Sequence, residues 1–487
     1  MIINNGPKSP VGDSTPLLGD ASATNSPPAY TPQPRADPTP IGDTQIPYAV
    51  YQPVHTQQGR QRRTGESAGR RFCEAFLVAF GIWVSFAFFV KLAVQSADYP
   101  IPSGVKLIVC ATTWHEKSNP DPDLTVFPYS ATTSFDFDLP STTLLLLSKG
   151  GLSNGHLKIT SSPEVRTVRV NATVNYWLPA VRDAVKVCLI ERSEGESGVG
   201  IFTPQRWPGR TYADRLFFDV ELILPSSDSI LHVNGLSTDV NNFSHDLDTL
   251  DVYFNDLSLT ASNGKIQAKS LTAAQVSLTT SDAAIAVDSL VALKASVKLS
   301  NGPITGNYAV VDSLILKTSN GAIDVAASIA GNSSLEKIQD ITMQTSNGPL
   351  DYVVDLGPTM GEADSFRVRA DTSNGRIIGK IISAPLNSIL DTHARTSNHP
   401  VSLAIPPTYE GSFTISSNSA ASVARTNPRE KDPTCGSDAN CDGRKRIFYL
   451  TRVTKSIYEG VIGWDSQNVD RGSIFLGSSN GVAVLYI

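Results

Sequence analysis

The sequence predicts an all-β ectodomain preceded by one transmembrane helix and a disordered N-terminal tail. The ectodomain reads as a β-solenoid, of the single-stranded β-helix kind, with repeats of about 19–27 residues. Three observations carry this reading. An apolar run at 72–94 separates two chemically different parts of the chain. Beyond it, Ser-Asn-Gly recurs at near-regular intervals. Around each recurrence the same offsets are apolar. The layout that follows is a proline-rich tail at 1–71, a signal anchor at 72–94, a stalk at 95–139, a β-rich accessory segment at 140–214 and the repeat domain at 215–487.

The run at 72–94 reads FCEAFLVAFGIWVSFAFFVKLAV, with no charge and no proline between Ala75 and Val90. At ~1.5 Å per residue this length crosses a ~30 Å hydrocarbon core. Glu74 and Lys91 lie near its ends, where side chains reach the headgroups. A buried helix of a soluble domain would show a polar face, which this stretch lacks. Arg60, Arg62, Arg63, Arg70 and Arg71 precede the run, while Asp98 is the first charge after Lys91. Excess Lys and Arg marks the cytoplasmic flank. The expectation is a single-pass membrane protein with its N-terminus inside, at the plasma membrane or along the endosomal and vacuolar route. A cleaved leader is not expected with 71 residues ahead of the run.

Residues 1–71 hold eleven of the 31 prolines and few apolar clusters. Such a segment cannot bury enough surface to offset its ordering entropy. Within it, Pro27-Pro28-Ala29-Tyr30 fits a PPxY ligand: the prolines favour polyproline II and the tyrosine fills an adjoining pocket of a WW domain. A WW-domain ubiquitin ligase is the partner this implies. Asp13 with Leu17 and Leu18 fits an acidic dileucine sorting signal, and Tyr51 with Val54 fits a tyrosine-based one. Short motifs of this kind also arise by chance in proline-rich tails.

The formal charge of -6 divides unevenly. The tail has seven bases and five acids, so the ectodomain is near -8. An acidic exterior argues against nucleic acid and anionic lipid as its partners. Of five cysteines, Cys73 sits at the cytoplasmic edge of the anchor, where palmitoylation competes with an inert thiol. Cys110, Cys188, Cys435 and Cys441 lie on the oxidising side and are expected as disulfides. Cys435 with Cys441 closes a short polar loop; Cys110 with Cys188 follows by elimination. Asn171, Asn242 and Asn332 head Asn-X-Ser/Thr sequons and are glycosylation acceptors if used.

From Thr142 onward, β-branched and aromatic residues alternate with polar ones, with no convincing amphipathic helix. Residues 192–214 read as a long loop. The repeat is clearest on its Asn or Asp: Asn263, Asp282, Asn301, Asn320, Asn347 and Asn374, in steps of 19, 19, 19, 27 and 27. Degenerate copies follow at Asn398 and Asn418, and a last Ser-Asn-Gly at Ser479–Gly481. Four residues before the turn stand Leu259, Leu278, Val297, Leu316, Met343 and Ala370. Six before stand Leu257, Val276, Ala295, Leu314, Ile341 and Val368. Three after stand Ile266, Ile285, Ile304, Ile323, Leu350 and Ile377. This is period-2 patterning on both arms of a fixed turn. Asn and Gly are expected there because they accept positive φ. Stacked coils and a meander of hairpins both satisfy the pattern. The solenoid is preferred because the eight-residue insertions suit loops between coils.

The strand–Ser-Asn-Gly–strand repeat, with Ile three residues after Asn, resembles the adhesin-like repeat domains of bacterial surface proteins over roughly 215–487. The whole layout resembles a group of fungal single-pass membrane proteins with a PPxY tail. The resemblance describes a fold and transfers no catalytic residue; the repeat, the sequons and the missing catalytic constellation point to a non-catalytic interaction module for a glycan or protein ligand.

No metal or cofactor signature stands in the sequence: the seven histidines make no ligand spacing, and there is no GxSxG, P-loop or dinucleotide fingerprint. His393 and His399 read as surface residues. Solenoid glycosidases use carboxylates projected from adjacent coils. Asp288, Asp312, Asp324 and Asp351 are the candidates for that alternative. Asp288 and Asp312 recur in VDSL, which points instead to a shared structural role. A third reading makes the tail the working part, as a sorting adaptor.

Overall fold

The computed structural model describes residues 73, 76–85, 98–118, 127–139, 142–207, 211–330, 338–357, 365–424, 431–435 and 443–487. Residues 73 and 76–85 are helical, and the rest of the predicted anchor lies outside the described residues. Among the described residues no helix is long and apolar enough to cross a membrane. The tail, with Asp13, Leu17, Leu18, Pro27, Pro28, Tyr30, Tyr51 and Val54, is outside them as well, as are Asn332 and Cys441.

The described residues from 98 onward are predominantly β-strand. The alternation read in the sequence becomes two arms per rung, and like arms stack in parallel. In the first column Leu259, Leu278, Val297, Leu316, Met343 and Ala370 pair in succession, continuing to Ala394 and Leu476. In the second, Ile266, Ile285, Ile304, Ile323, Leu350 and Ile377 do the same, continuing to Val401 and Ala483. Parallel pairing at every step makes this a solenoid; a hairpin meander would pair antiparallel. None of the eighteen apolar residues is more than 3% exposed. Each contributes transfer free energy only because its rung neighbours cover it. The two 27-residue steps follow the long second arms Ile323–Ala330 and Leu350–Gly357, where the shorter coil has only Ile266–Ala268.

Both ends depart from chain order. At the first end, Thr143–Lys149 and Asn154–Ser162 stack on Leu231–Val240 and Asn242–Leu247. Glu196–Phe202 and Leu216–Pro225 then stack outside them, although they lie between the two in sequence. The parallel stack therefore takes in strands from both sides of residue 215, and the expected loop at 192–214 contains one of them. At the other end, Gly472–Ser478 and Val482–Tyr486 sit between the rung at 389–404 and the outermost rung, Gly411–Ser417 with Ala420–Ala424.

Antiparallel strands cover both columns at the first end and, among the described residues, one column at the other. Lys186–Ser193 and then Lys106–Cys110 extend the first column, while Val168–Tyr176, Tyr129–Phe137 and His115–Ser118 extend the second. The expected stalk thus supplies three strands. Beyond Gly411–Ser417 lie Ile457–Gly463 and Ile447–Val453. A bare parallel edge would present unpaired N–H and C=O groups to other chains, and these caps move that edge away from the repeats. Cys110 faces Cys188 in register and the two are disulfide-bonded. Cys435 is also disulfide-bonded. A single short helix, Pro179–Asp183, interrupts the described β structure of the first cap.

The turn chemistry differs from expectation. Gly264, Gly302, Gly321, Gly348, Gly375 and Gly481 do not have positive φ. They are needed because each turn lies against the one below. A Cβ on Gly348 would stand 1.7 Å from the Gly321 carbonyl oxygen, and one on Gly375 the same distance from that of Gly348. Asn418 is one residue out of register: Ser417 pairs with Ser478, so Ser419 falls where the other turns carry Asn. The two VDSL segments are not equivalent either, since Leu290 pairs with Tyr308 whereas Leu314 pairs with Ala295.

Candidate interaction surface

The turns form an edge along the stack, and its side chains bond from rung to rung. Each asparagine amide donates to the side-chain oxygen of the rung before. Asn301 donates to Asp282 at 2.5 Å, Asn320 to Asn301 and Asn347 to Asn320 at 2.6 Å, and Asn374 to Asn347 at 2.7 Å. Asn398 continues to Asn374 and Asn480 to Asn398, which fixes Asn480 as the next member despite 82 residues of separation. An ionised Asp only accepts, so Asp282 cannot donate onward and the ladder restarts with Asn263 on Asn242 at 2.6 Å. Asn242, read in the sequence as a glycosylation acceptor, is thus also a ladder member; its own amide donates to the Ser153 carbonyl. Asn171 lies mid-strand in the first cap and accepts from Ser134.

Inside the same turns runs a second ladder that the Ser-Asn-Gly pattern passed over. Thr280, Thr318, Thr345 and Thr372 donate to the carbonyls of Gly264, Gly302, Gly321 and Gly348 at 3.0–3.1 Å. Thr396 and Ser478 continue it. In four of these turns the hydroxyl also accepts from the turn's own glycine N–H. The signal was present as a Thr two residues before the Asn. A buried hydroxyl with both roles filled fits the rule that buried polar groups are paired.

One core residue breaks the apolar pattern. His245 is fully buried, in the row otherwise held by Leu157 and Ile266. Its Nε2 lies 2.8 Å from Thr238 Oγ1, and its Nδ1 has no hydrogen-bond partner. Burial, reinforced by the nearby His156, pushes its pKa down to about 4.

The four carboxylates do not gather. Asp324 and Asp351 pair in register on the outer face of consecutive rungs, and the next residue in that row is Ile378. Arg376 holds Asp351 at 2.8 Å. Asp312 lies 3.9 Å from Lys294, and Asp288 falls at the register shift between Val287 and Leu290. His393 stacks on Phe475 with ring centres 4.8 Å apart, and His399 occupies a turn against Gly481. No group of three or more His, Cys, Asp or Glu among the described residues could hold a metal ion.

Concavities on the outer surface of the described residues include two of note. One, of about 290 Å³, crosses several rungs over small residues (Ala309, Ala326, Ser328), with Val353 and Ile382 beside them. The other, of about 430 Å³, lies where the first cap meets the turn edge and is lined by Phe127, Asn154, Tyr212, Arg215 and Phe217 among others.

Residues 211–392 match the family model Toastrack DUF4097. That span covers the central rungs and leaves out the strands at 143–162 and those beyond 411. Comparison with curated proteins gives no match. Among solved structures, similar chains include a candidate cell adhesion protein from Clostridium sporogenes, at 6% identity and a TM-score of 0.14, covering 73% of this chain and 99% of that one. Two candidate adhesins are also similar. The one from Bacteroides fragilis has 10% identity and a TM-score of 0.23, covering 56% and 96%. The one from Parabacteroides merdae has 14% identity and a TM-score of 0.23, covering 57% and 90%. Such TM-scores carry no argument, and the fold rests on the strand pairing itself.

Proposed function

We propose that this chain is a membrane-anchored, non-catalytic interaction module of adhesin-like type, displaying a ladder-bonded β-solenoid outside the cell or in a lumen. The carrying observation is the continuous parallel stack: its turn-edge side chains bond from rung to rung, and the outward faces remain as a platform for contact. A binding surface on such a scaffold loses little conformational freedom when it engages a ligand. The apolar run at 72–94 and the arginines before it support the anchor and its orientation. The sequons Asn171, Asn242 and Asn332 fit exposure to the secretory lumen.

The tail supports a complementary role. Pro27, Pro28 and Tyr30 would offer a WW-domain ubiquitin ligase a handle, and Asp13 with Leu17 and Leu18 would offer cargo adaptors another. In this reading the tail controls the residence time of the displayed module.

The test is a screen of the purified full chain, held in detergent, against glycan and protein arrays. Saturable capture of a glycan or protein is expected. An absence of binding on both arrays overturns the module.

A further inference from the structure

The asparagine ladder has an unpaired end. Asn154 pairs in register with Asn242 across the strands. Yet Asn242 donates to the Ser153 carbonyl and accepts from Asn263, so neither of these bonds reaches the Asn154 amide. The Asn154 side chain is exposed and makes no hydrogen bond among the described residues. It lines the cavity of about 430 Å³, a size within the ~300–1,000 Å³ of small-ligand sites.

Three aromatic residues, Phe127, Tyr212 and Phe217, share that cavity with Leu152, Leu216, Arg215 and Asn242. Phe217 immediately precedes Phe218, which pairs with Gly155, and so stands beside Asn154. Tyr212 is 52% exposed. Its ring is braced edge-on by Trp177 at 5.5 Å, and Trp177 in turn contacts Phe127 at 6.5 Å. The Arg215 guanidinium lies over the Tyr212 ring at 4.5 Å and forms no ion pair. The adjoining Asp214 is taken by the backbone N–H and hydroxyl of Thr211 and by Trp207 Nε1. The cavity therefore combines supported ring faces with an amide and a guanidinium whose hydrogen-bonding capacity is unspent.

We propose that this cavity binds a short glycan segment. A pyranose ring presents an apolar C–H face and a rim of hydroxyls. The C–H face suits an exposed aromatic ring held by its neighbours. The hydroxyls suit an amide that both donates and accepts, with a guanidinium that only donates. A protein partner would need a flat patch of ~800 Å² per side, which this concavity is not. This assignment rests on the interaction-module reading and gives it a ligand class and an address.

The experiment titrates the full chain in detergent with cellobiose, chitobiose, mannobiose and digalacturonate. Binding is followed by tryptophan fluorescence, with Trp177 beside Tyr212 as reporter, and by saturation-transfer NMR. At least one sugar is expected to bind saturably. Tyr212→Ala should weaken that binding about tenfold, as expected for losing a stacked ring. Tyr212→Phe should retain it, and Asn154→Ala should weaken it about three- to tenfold. Tyr449→Ala, 65% exposed on the opposite cap, is the control and should change nothing. Binding that survives both Tyr212→Ala and Asn154→Ala overturns the site. So does a chain that captures a protein ligand but none of these sugars, while leaving the module standing. A chain that captures neither overturns both.

Discussion

His245 should make the stability of the solenoid fall with acidity in a defined window. Buried among aliphatic rows, it stays neutral in the folded chain down to about pH 4, whereas the unfolded chain protonates it near 6.5. Above 6.5 both states are neutral and the full stability is present. As pH falls from 6.5 to about 4, the unfolded state binds a proton that the folded state refuses, so stability drops. Below about 4 both states are protonated and the loss levels off. The gap between 6.5 and about 4, at ~1.4 kcal/mol per decade, is about 3.5 kcal/mol for the whole window. His245→Leu removes the titration and matches the row of Leu157 and Ile266. Thr238 keeps the bond it accepts from the Thr260 N–H. Urea unfolding of wild type and variant at pH 7.5, 5.5 and 4.5 measures the effect. Wild type should lose about 2.5 kcal/mol more than the variant between pH 7.5 and 4.5, because the lowest point lies above the folded-state pKa of about 4. Equal losses in the two proteins would refute the idea that a neutral buried imidazole is being titrated.

Three other outcomes are expected. Thr345→Val leaves the Gly321 carbonyl and the Gly348 N–H without their hydroxyl partner and should cost about 1–3 kcal/mol, while Thr345→Ser should recover most of it, read as unfolding midpoints. Gly348→Ala places a methyl against the Gly321 backbone oxygen, and its loss should lie at or above the usual ~1–3 kcal/mol of overpacking, seen in thermal melts. Tyr30→Ala should lower ubiquitin conjugation of the chain and shift its steady-state location, measured by immunoblot and microscopy; unchanged traffic would remove the WW-domain role.

The arms of the solenoid were legible because burial imposes a period of two, and the Asn positions were legible because an exposed ladder needs the same amide at each rung. The role of glycine was misread from sequence. A turn that needs positive φ and a turn pressed against its neighbour ask for the same residue, and only the Gly321–Gly348 contact separates them. Spacing also concealed rung order: a parallel strand can pair with one far along the chain, as Gly472–Ser478 does with Ile389–Thr396. Asn418 mimics the motif because its Ser-Asn pair sits one position off. The cavity at Tyr212 and Asn154 was not readable, since its residues come from four separated segments brought together by the first cap. The threonine ladder was readable in principle, because Thr stands two residues before the turn at 280, 318, 345, 372 and 396, although Ala261 and Leu299 interrupt it.

The rung at 472–486 imposes an order of assembly. Repeat arrays ordinarily grow by adding each coil to the last. Here the coil at 411–424 cannot dock on 389–404, because its seat is held for a segment made later. Closure of this end is a keystone event: the late segment must slide between two faces and satisfy both sets of edge groups at once. Such non-local closure is slow relative to neighbour stacking. Removing 472–487 should therefore do more than shorten the protein. It would leave two open parallel edges facing one another across a gap, each ready to accept a strand from another molecule.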